Sequence, residues 1–367
     1  MCNQKLEKGQ WTAERAWEWY NAQPWIRGYN GYPSNCVNRI AMWQEYGHAE
    51  VFEQIEREFA LAKETGFNAV RAIIQFECWY YEHDSFMNNL EEYFTLADRY
   101  GIKVMLTLGN DCTVPKADFV PVKFGPQKVD WGYHSGIKKG PHAGGYNDPG
   151  YCLLDDPEIE PAYYQMVHEL AAKYAKDPRL QIWDIWNEPG NSRRGDMSLK
   201  AMEEFFRIVR SYDPIQPLTA DAFSFGPEAA GPRNPIELRA LELSDIITFH
   251  SYGPFEDVVC LIKRMKEWGR PLIDNEWLNR ITHNDVAEMF PLLYLENIGS
   301  YHWGLIQGYS QTYEPWGWYM NQLDNPAYDV TKLQHDLYRF NGYPYDKKET
   351  DLIKRFCKRA DADFARK

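Results

Sequence analysis

The rhythm of this 367-residue chain constrains its fold most: short apolar runs recur along it, and longer amphipathic stretches separate them. The runs fall at 25–29, 68–74, 103–108, 180–187, 218–221, 246–250, 271–275 and 300–305. Such alternation is the mark of repeated strand–helix units. Several runs are apolar at successive positions, as parallel strands are when helices cover one face and a core fills the other. Eight such strands close a barrel, so the predicted fold is an α/β (β/α)₈ barrel.

The intervening stretches predict helices over 49–64, 85–100, 160–174, 198–212, 255–268 and 285–297, with a shorter one over 235–243. Two of them run into glycine, Gly66 and Gly101, where the left-handed conformation that ends a helix costs no side-chain clash. A segment at 12–21 predicts a helix bracing the barrel bottom, and the basic stretch 347–359 a peripheral one. One domain is expected, with the barrel over about 25–341 and a tail from 342 to 367. The stretch 109–156 is rich in Gly, Pro and aromatics and far exceeds an ordinary connection. Following the third strand, it is expected to lie over the barrel mouth.

Chemistry in such a barrel gathers at the carboxyl ends of the strands. Two glutamates stand there, Glu188 in Ile182-Trp-Asp-Ile-Trp-Asn-Glu-Pro189 and Glu276 in Pro271-Leu-Ile-Asp-Asn-Glu-Trp277. Paired carboxylates across one cleft are what glycosidic bond cleavage with retained stereochemistry requires. Strand alternation puts Asp184, Trp186 and Glu188 on one side, and Pro189 ends the ladder and leaves the carboxyl at the exit. An acid working near neutral pH needs a raised pKa, here expected from Trp186 and a second carboxylate; a nucleophile needs a lowered one. Arg71 is a candidate cation for Glu276, or else the partner of a core aspartate such as Asp184 or Asp274, since an unpaired buried charge is expensive. Asn187 can offer its amide to a sugar hydroxyl. His250 and Tyr252 follow the sixth strand as candidates to tune the acid and reach the nucleophile. Trp303 ends the eighth as a candidate platform for a sugar ring.

Composition agrees. Aromatics make up 16% of the chain, more than packing alone asks for and suited to the C–H faces of pyranoses. A net charge of −13 without a basic run argues against nucleic acid as a partner and for a neutral glycan. No stretch has the length and purity of a membrane span. Seven scattered cysteines form no Cys-x-x-Cys pair, so reduced thiols are expected. His134, His142, Asp148 and Cys152 in the long insertion match no ligand spacing. Neither a metal nor a cofactor is expected. With Trp131, Tyr133 and Tyr146 they are expected to wall the cleft instead.

The ordered set Arg71, Asn187-Glu188-Pro189, His250-x-Tyr252, Glu276 and Trp303, on strands two, four, six, seven and eight, resembles clan A retaining glycoside hydrolases, and family 5, the cellulase and mannanase family, most of all. The resemblance implies Glu188 as acid/base, Glu276 as nucleophile, Asn187 as a hydroxyl ligand and Arg71, His250, Tyr252 and Trp303 as subsite residues. It also implies an O-glycosyl hydrolase with a carbohydrate substrate. A transglycosidase or a non-catalytic glycan binder on the same barrel are the alternatives. The chain departs from the family at strand three, where a histidine is usual and Leu106-Thr-Leu-Gly-Asn110-Asp111 stands here. Asn110 or Asp111 is expected to take over that sugar contact. The insertion is expected to block one end of the groove and favour exo action or short oligosaccharides. The start of the chain shows no signal peptide, so a cytoplasmic location is expected, or a periplasmic or surface lipoprotein if the chain was trimmed before Cys2.

Overall fold

The computed structural model describes residues 6–132, 134, 136–226, 232 and 234–366. Tyr133 and Cys2, both named above, lie outside them. Strands and helices alternate: α1 (Ala13–Asn21), β1 (Arg27–Asn30), α2 (Arg39–Trp43), α3 (His48–Thr65), β2 (Ala69–Ile73), α4 (Phe76–Tyr81), α5 (His83–Arg99), β3 (Lys103–Asn110), α6 (Glu160–Tyr174), β4 (Leu180–Asn187), α7 (Leu199–Ser211) and β5 (Leu218–Thr219). Then come α8 (Ile236–Leu243), β6 (Ile247–Ser251), α9 (Phe255–Lys266), β7 (Leu272–Trp277), α10 (Val286–Leu295), β8 (Gly299–Trp303) and α11 (Lys347–Phe364). The strands are parallel and ordered β5-β4-β3-β2-β1-β8-β7-β6. Between β5 and β6 the ring is completed by backbone bonds around one bridge, with Ala222 N donating to Thr248 O (3.1 Å) and His250 N to Ala222 O (2.9 Å). The result is a (β/α)₈ barrel.

Helix boundaries have local causes. The Thr12 hydroxyl accepts from Arg15 N (3.2 Å) at the start of α1. Gly66 ends α3 with φ +103°, and a Cβ there would also meet Cys357 of α11 at 2.6 Å, so glycine is required for two reasons. α2 and α4, one or two turns long, are too short for a 3.6-residue period to reveal, and the sequence shows no sign of them.

Inside the barrel the amino-terminal end is apolar. Ala69, Met105, Ile182, Ile246, Ile273 and Tyr301 form a layer with Ile26, and Trp11, Ala16 and Tyr20 of the amino-terminal segment cover it. Removing these side chains from water contributes about 1.5–3 kcal/mol for each large one, which fastens α1 across the barrel bottom. Outside, a second and larger core lies between strands and helices. No helix among the described residues is long and apolar enough to cross a membrane, and the six described cysteines carry free thiols.

Candidate active site

Two residues further along several strands, the interior turns polar and charged. Arg71 sits two positions beyond Ala69, Thr107 beyond Met105, Asp184 beyond Ile182 and Asp221 beyond Thr219, all buried. Arg71 is the centre. Its guanidinium donates to Asp184 Oδ2 (2.8 Å), Asn30 Oδ1 (2.9 Å), Glu276 Oε1 (2.6 Å), Asn187 Oδ1 (2.7 Å) and Asp221 Oδ2 (2.7 Å). All five of its N–H groups are thereby used. The two roles weighed for Arg71 are therefore filled at once: it pairs with core aspartates and with the strand-seven glutamate. Asp274 belongs elsewhere, accepting from Ser251.

Glu276 reaches this centre through a shift of register. β7 pairs Asp274 with Phe249 and then Glu276 with His250, skipping Asn275. Asn275 points inward to Asp221 (2.7 Å), Glu276 is held by Arg71 and Trp277 turns outward to Phe290. Such an irregularity re-aims one side chain at a strand end. Tyr252 Oη donates to the other oxygen of Glu276 (2.7 Å). Glu188 follows β4 with φ +46°, a left-handed backbone uncommon outside glycine and typical of functional sites. His250 Nδ1 lies 2.7 Å from its Oε1, and Cys112 Sγ donates to its Oε2 at 2.9 Å, where Asn191 also bonds. Carboxylate oxygens of Glu188 and Glu276 lie within 4.8 Å of each other, with His250 inside the same radius. These three could present donors to a cation, but Arg71 already neutralises Glu276 and His250 faces both acids.

Residues 29–284, more than half the chain, match the model of the cellulase family, glycosyl hydrolase family 5. The chain belongs to this family. It is a glycoside hydrolase. No curated protein matches it. Similar solved structures include the endo-β-1,4-mannanase of Thermotoga petrophila, with 16% identity, TM-score 0.56, and 93% of this chain and 78% of that one covered. The endo-1,4-β-mannanase of Rhizomucor miehei is 14% identical at TM-score 0.55, covering 94% and 96%. An exo-β-1,4-mannosidase from Opitutaceae bacterium strain TAV5 is 16% identical at TM-score 0.56, covering 98% and 63%. At these identities the likeness is one of fold.

In this family 5 hydrolase one cavity of about 520 Å³ is lined by Arg71, Asn110, Asn187, Glu188, His250, Tyr252, Glu276 and Trp303. Asp111 is absent from it and corrects the expectation of a sugar contact. Its carboxylate is fully buried and accepts from Arg194 (2.8 Å), Ser198 (2.6 Å) and Gly190 N (2.7 Å), so it anchors the loop after β4. Asn110 faces the cleft, yet its amide oxygen accepts from Asn187 (2.8 Å), so it orients Asn187. Trp186 does not share the side of Asp184. It packs on Phe205 of α7 and on Gly109, where a Cβ would come within 2.3 Å of the indole.

The proton preferences also differ from expectation. Burial pushes Glu188 up, but the His250 imidazole and the Cys112 thiol outweigh it and hold the carboxyl below its ordinary range. Burial pushes Glu276 up, and His250 and Arg71 offset this only in part. His250 resists charge through burial, yet Glu276, Asp221 and Glu188 raise its pKa well above the usual 6.5. His250, 2.7 Å from Glu188, is thus the group of the site whose surroundings favour the protonated form.

The insertion 109–156 contributes less than the sequence predicts. His134, Ile137, Pro141, His142 and Gly144 line the cleft, whereas Trp131 is exposed and the Tyr146 hydroxyl bonds Lys139 O (3.1 Å). His134 Nε2 accepts from the Trp303 indole at 3.0 Å, and burial, with His142 and His335 nearby, lowers its pKa and keeps it neutral. Cys152 sits apart beside Tyr163, and Asp148 is exposed. Sequence reasoning missed Trp316 and Trp318, which enter the cleft from the connection between β8 and α11, and Cys112 beside Glu188. Trp316 lies parallel to the His142 ring (5.8 Å, 19°). The aromatic density of Tyr313-Glu-Pro-Trp-Gly-Trp-Tyr319 was the available signal.

Proposed function

We propose that this hydrolase cleaves β-glycosidic bonds with retention by double displacement, acting at a chain end or on short oligosaccharides. The observation that carries this reading is the approach of the two carboxylates within 4.8 Å. Retaining enzymes place them about 5–5.5 Å apart and inverting ones roughly 6.5–9.5 Å, leaving room for water. Glu276, gripped by Arg71 and Tyr252, attacks the anomeric carbon. Glu188 takes the proton held at His250 and gives it to the departing oxygen. Once glycosylated, Glu276 no longer carries charge, and Glu188, whose neighbours favour its anion, draws a proton from water. Water opens the ester and the proton returns toward His250.

Support for a short cleft comes from its wall, where Ile137, Pro141 and His142 of the insertion meet Trp316 and Trp318. The mannanases and the mannosidase of similar fold make β-1,4-mannosides the first substrates to try, beside β-glucosides. Proton NMR of the first product should show the β-anomer before mutarotation, and azide should restore turnover of activated glycosides by Glu188→Ala. Initial release of the α-anomer would defeat retention. Random mid-chain cleavage of a long polymer would defeat the short-cleft reading.

A further inference from the structure

A second cavity, of about 590 Å³, lies beside the catalytic cleft. The two share part of their walls: Asn38, Arg39, Gln75, Asn110, Cys112 and Ile137 line both. Beyond that junction Ile74, Leu108, Val114, Val122 and Leu153 give apolar surface. Of the polar side chains among them, Glu77 is bonded to Gln75, Gln127 to Asn38 (3.1 Å) and Asp118 to Lys139 (3.4 Å), while Thr113 adds one hydroxyl. The aromatic rings of the lining are engaged with other rings: Phe119 meets Tyr151 edge-on (5.1 Å, 80°) and Trp186 packs on Phe205. Phe76 and Tyr163 stack at 3.5 Å and 8°, so those faces are covered rather than offered to a pyranose. Charge gathers at the rim, where Lys123, Lys138 and Lys139 are exposed. A sugar subsite needs donors and acceptors set deep for its hydroxyls, because each hydroxyl buried without a partner is costly. This wall suits a chain of methylenes.

Position fixes which part of a substrate would enter. Cys112, common to both cavities, donates to Glu188, and Asn110, also common, bonds Asn187. The chamber thus opens on the side of the residue read here as the acid. An acid protonates the leaving oxygen, so the leaving group lies on its side of the scissile bond.

We propose that this chamber receives the leaving group and that this group is an alkyl chain, so that the enzyme cleaves alkyl or lipid β-glycosides. The glycosidic C1–O bond breaks, water is added, and the products are the free sugar and an alkanol. The proposal rests on the retaining-hydrolase reading and names its substrate class. Binding energy gained by the remote chain is available to the transition state and appears in kcat/KM.

The test uses methyl, butyl, hexyl and octyl β-glucosides and β-mannosides, with the matching disaccharides and trisaccharides. kcat/KM is expected to rise by about fourfold per methylene, the transfer preference of a CH₂ group, until the chamber is full. Val122→Trp, which narrows it, should flatten the series when octyl and methyl glycosides are compared within the variant. Calorimetric binding of the same alkyl glycosides to Glu276→Gln reads the chamber without turnover. Chain-length-dependent affinity there, with no glycoside cleaved by the unaltered enzyme, would uphold the chamber and sink the hydrolytic reading. A flat alkyl series in both assays while sugars are cleaved would overturn the chamber and leave the hydrolase standing. So would a gain from trisaccharides with none from alkyl chains.

Discussion

The two ends of the barrel interior are built from the same strands and lie two or three residues apart along them. At the bottom, Ala69, Met105, Ile182 and Ile273 pack with the Trp-rich amino-terminal segment in an apolar layer, and Asp245 and Arg270 meet that segment at the Trp11 backbone. At the top, Arg71, Asp184, Asp221 and Glu276 are buried nearly as completely and are all ionisable. Apolar burial stabilises by itself, whereas a buried charge cluster survives only while every member has its partner. The bottom is therefore tolerant of gradual change and the top is not. One end maintains the fold, and the other holds reactive groups in an arrangement the fold must support.

The sharpest way to break this comparison is at Glu276. Glu276→Ala should lower kcat by on the order of 10⁵-fold, the scale of removing a nucleophile. It should cost less stability than loss of Arg71, because Arg71 keeps Asp184 and Asp221 as partners. Near-normal turnover would remove Glu276 from the mechanism. Next in size is Arg71→Met, which leaves three carboxylates without their shared cation. It should cost about 3–5 kcal/mol in urea unfolding at neutral pH. Part of that loss should return as pH falls and the carboxylates take up protons. A small loss, independent of pH, would mean that the cluster is not held together by Arg71.

How much of this was open to sequence reading follows the same divide. Strands buried on both faces appear as apolar runs, so all eight and their order were legible. Glu188 and Glu276 were conspicuous because a carboxylate closing such a run has no packing reason to be there. The details of aim were not. Strict alternation fails at strand ends, where β7 skips a partner at Asn275 and Trp186 turns out to α7. Asn110 and Asp111 are neighbours, yet one faces the cleft and the other finds Arg194, 83 positions away. The sequence offers no period that would announce such a pair. Trp316 and His335 come from a long connection whose path is set by tertiary contacts with His142 and Tyr252. The proton preferences depended on His250 standing between both acids, a distance no spacing encodes.

At the apolar end, Ile182→Ala should cost about 2–5 kcal/mol of stability, since the barrel interior cannot collapse freely around the space left. kcat/KM of the folded fraction should be unchanged. A fall in kcat/KM with little loss of stability would show that the two ends are mechanically coupled and that the division drawn here is too clean.

The smallest effect is a displacement of a pH limb, and it tests the charged end alone. Glu276 must be ionised to attack, and burial raises its pKa above the ordinary 4.5, so kcat/KM should fall as pH drops through a value higher than that. The Tyr252 hydroxyl opposes the rise by donating to the carboxylate at 2.7 Å. Tyr252→Phe removes a bond that favours only the anion, so the acid limb should move to higher pH. A hydrogen bond to a charged group contributes roughly 1.5–3 kcal/mol, equivalent to about one to two pH units. Ile182→Ala, below the charged layer, should leave the limb where it is. If Tyr252→Phe shifts the limb downward or not at all, the anion of Glu276 depends on Arg71 and His250 without help from the phenol.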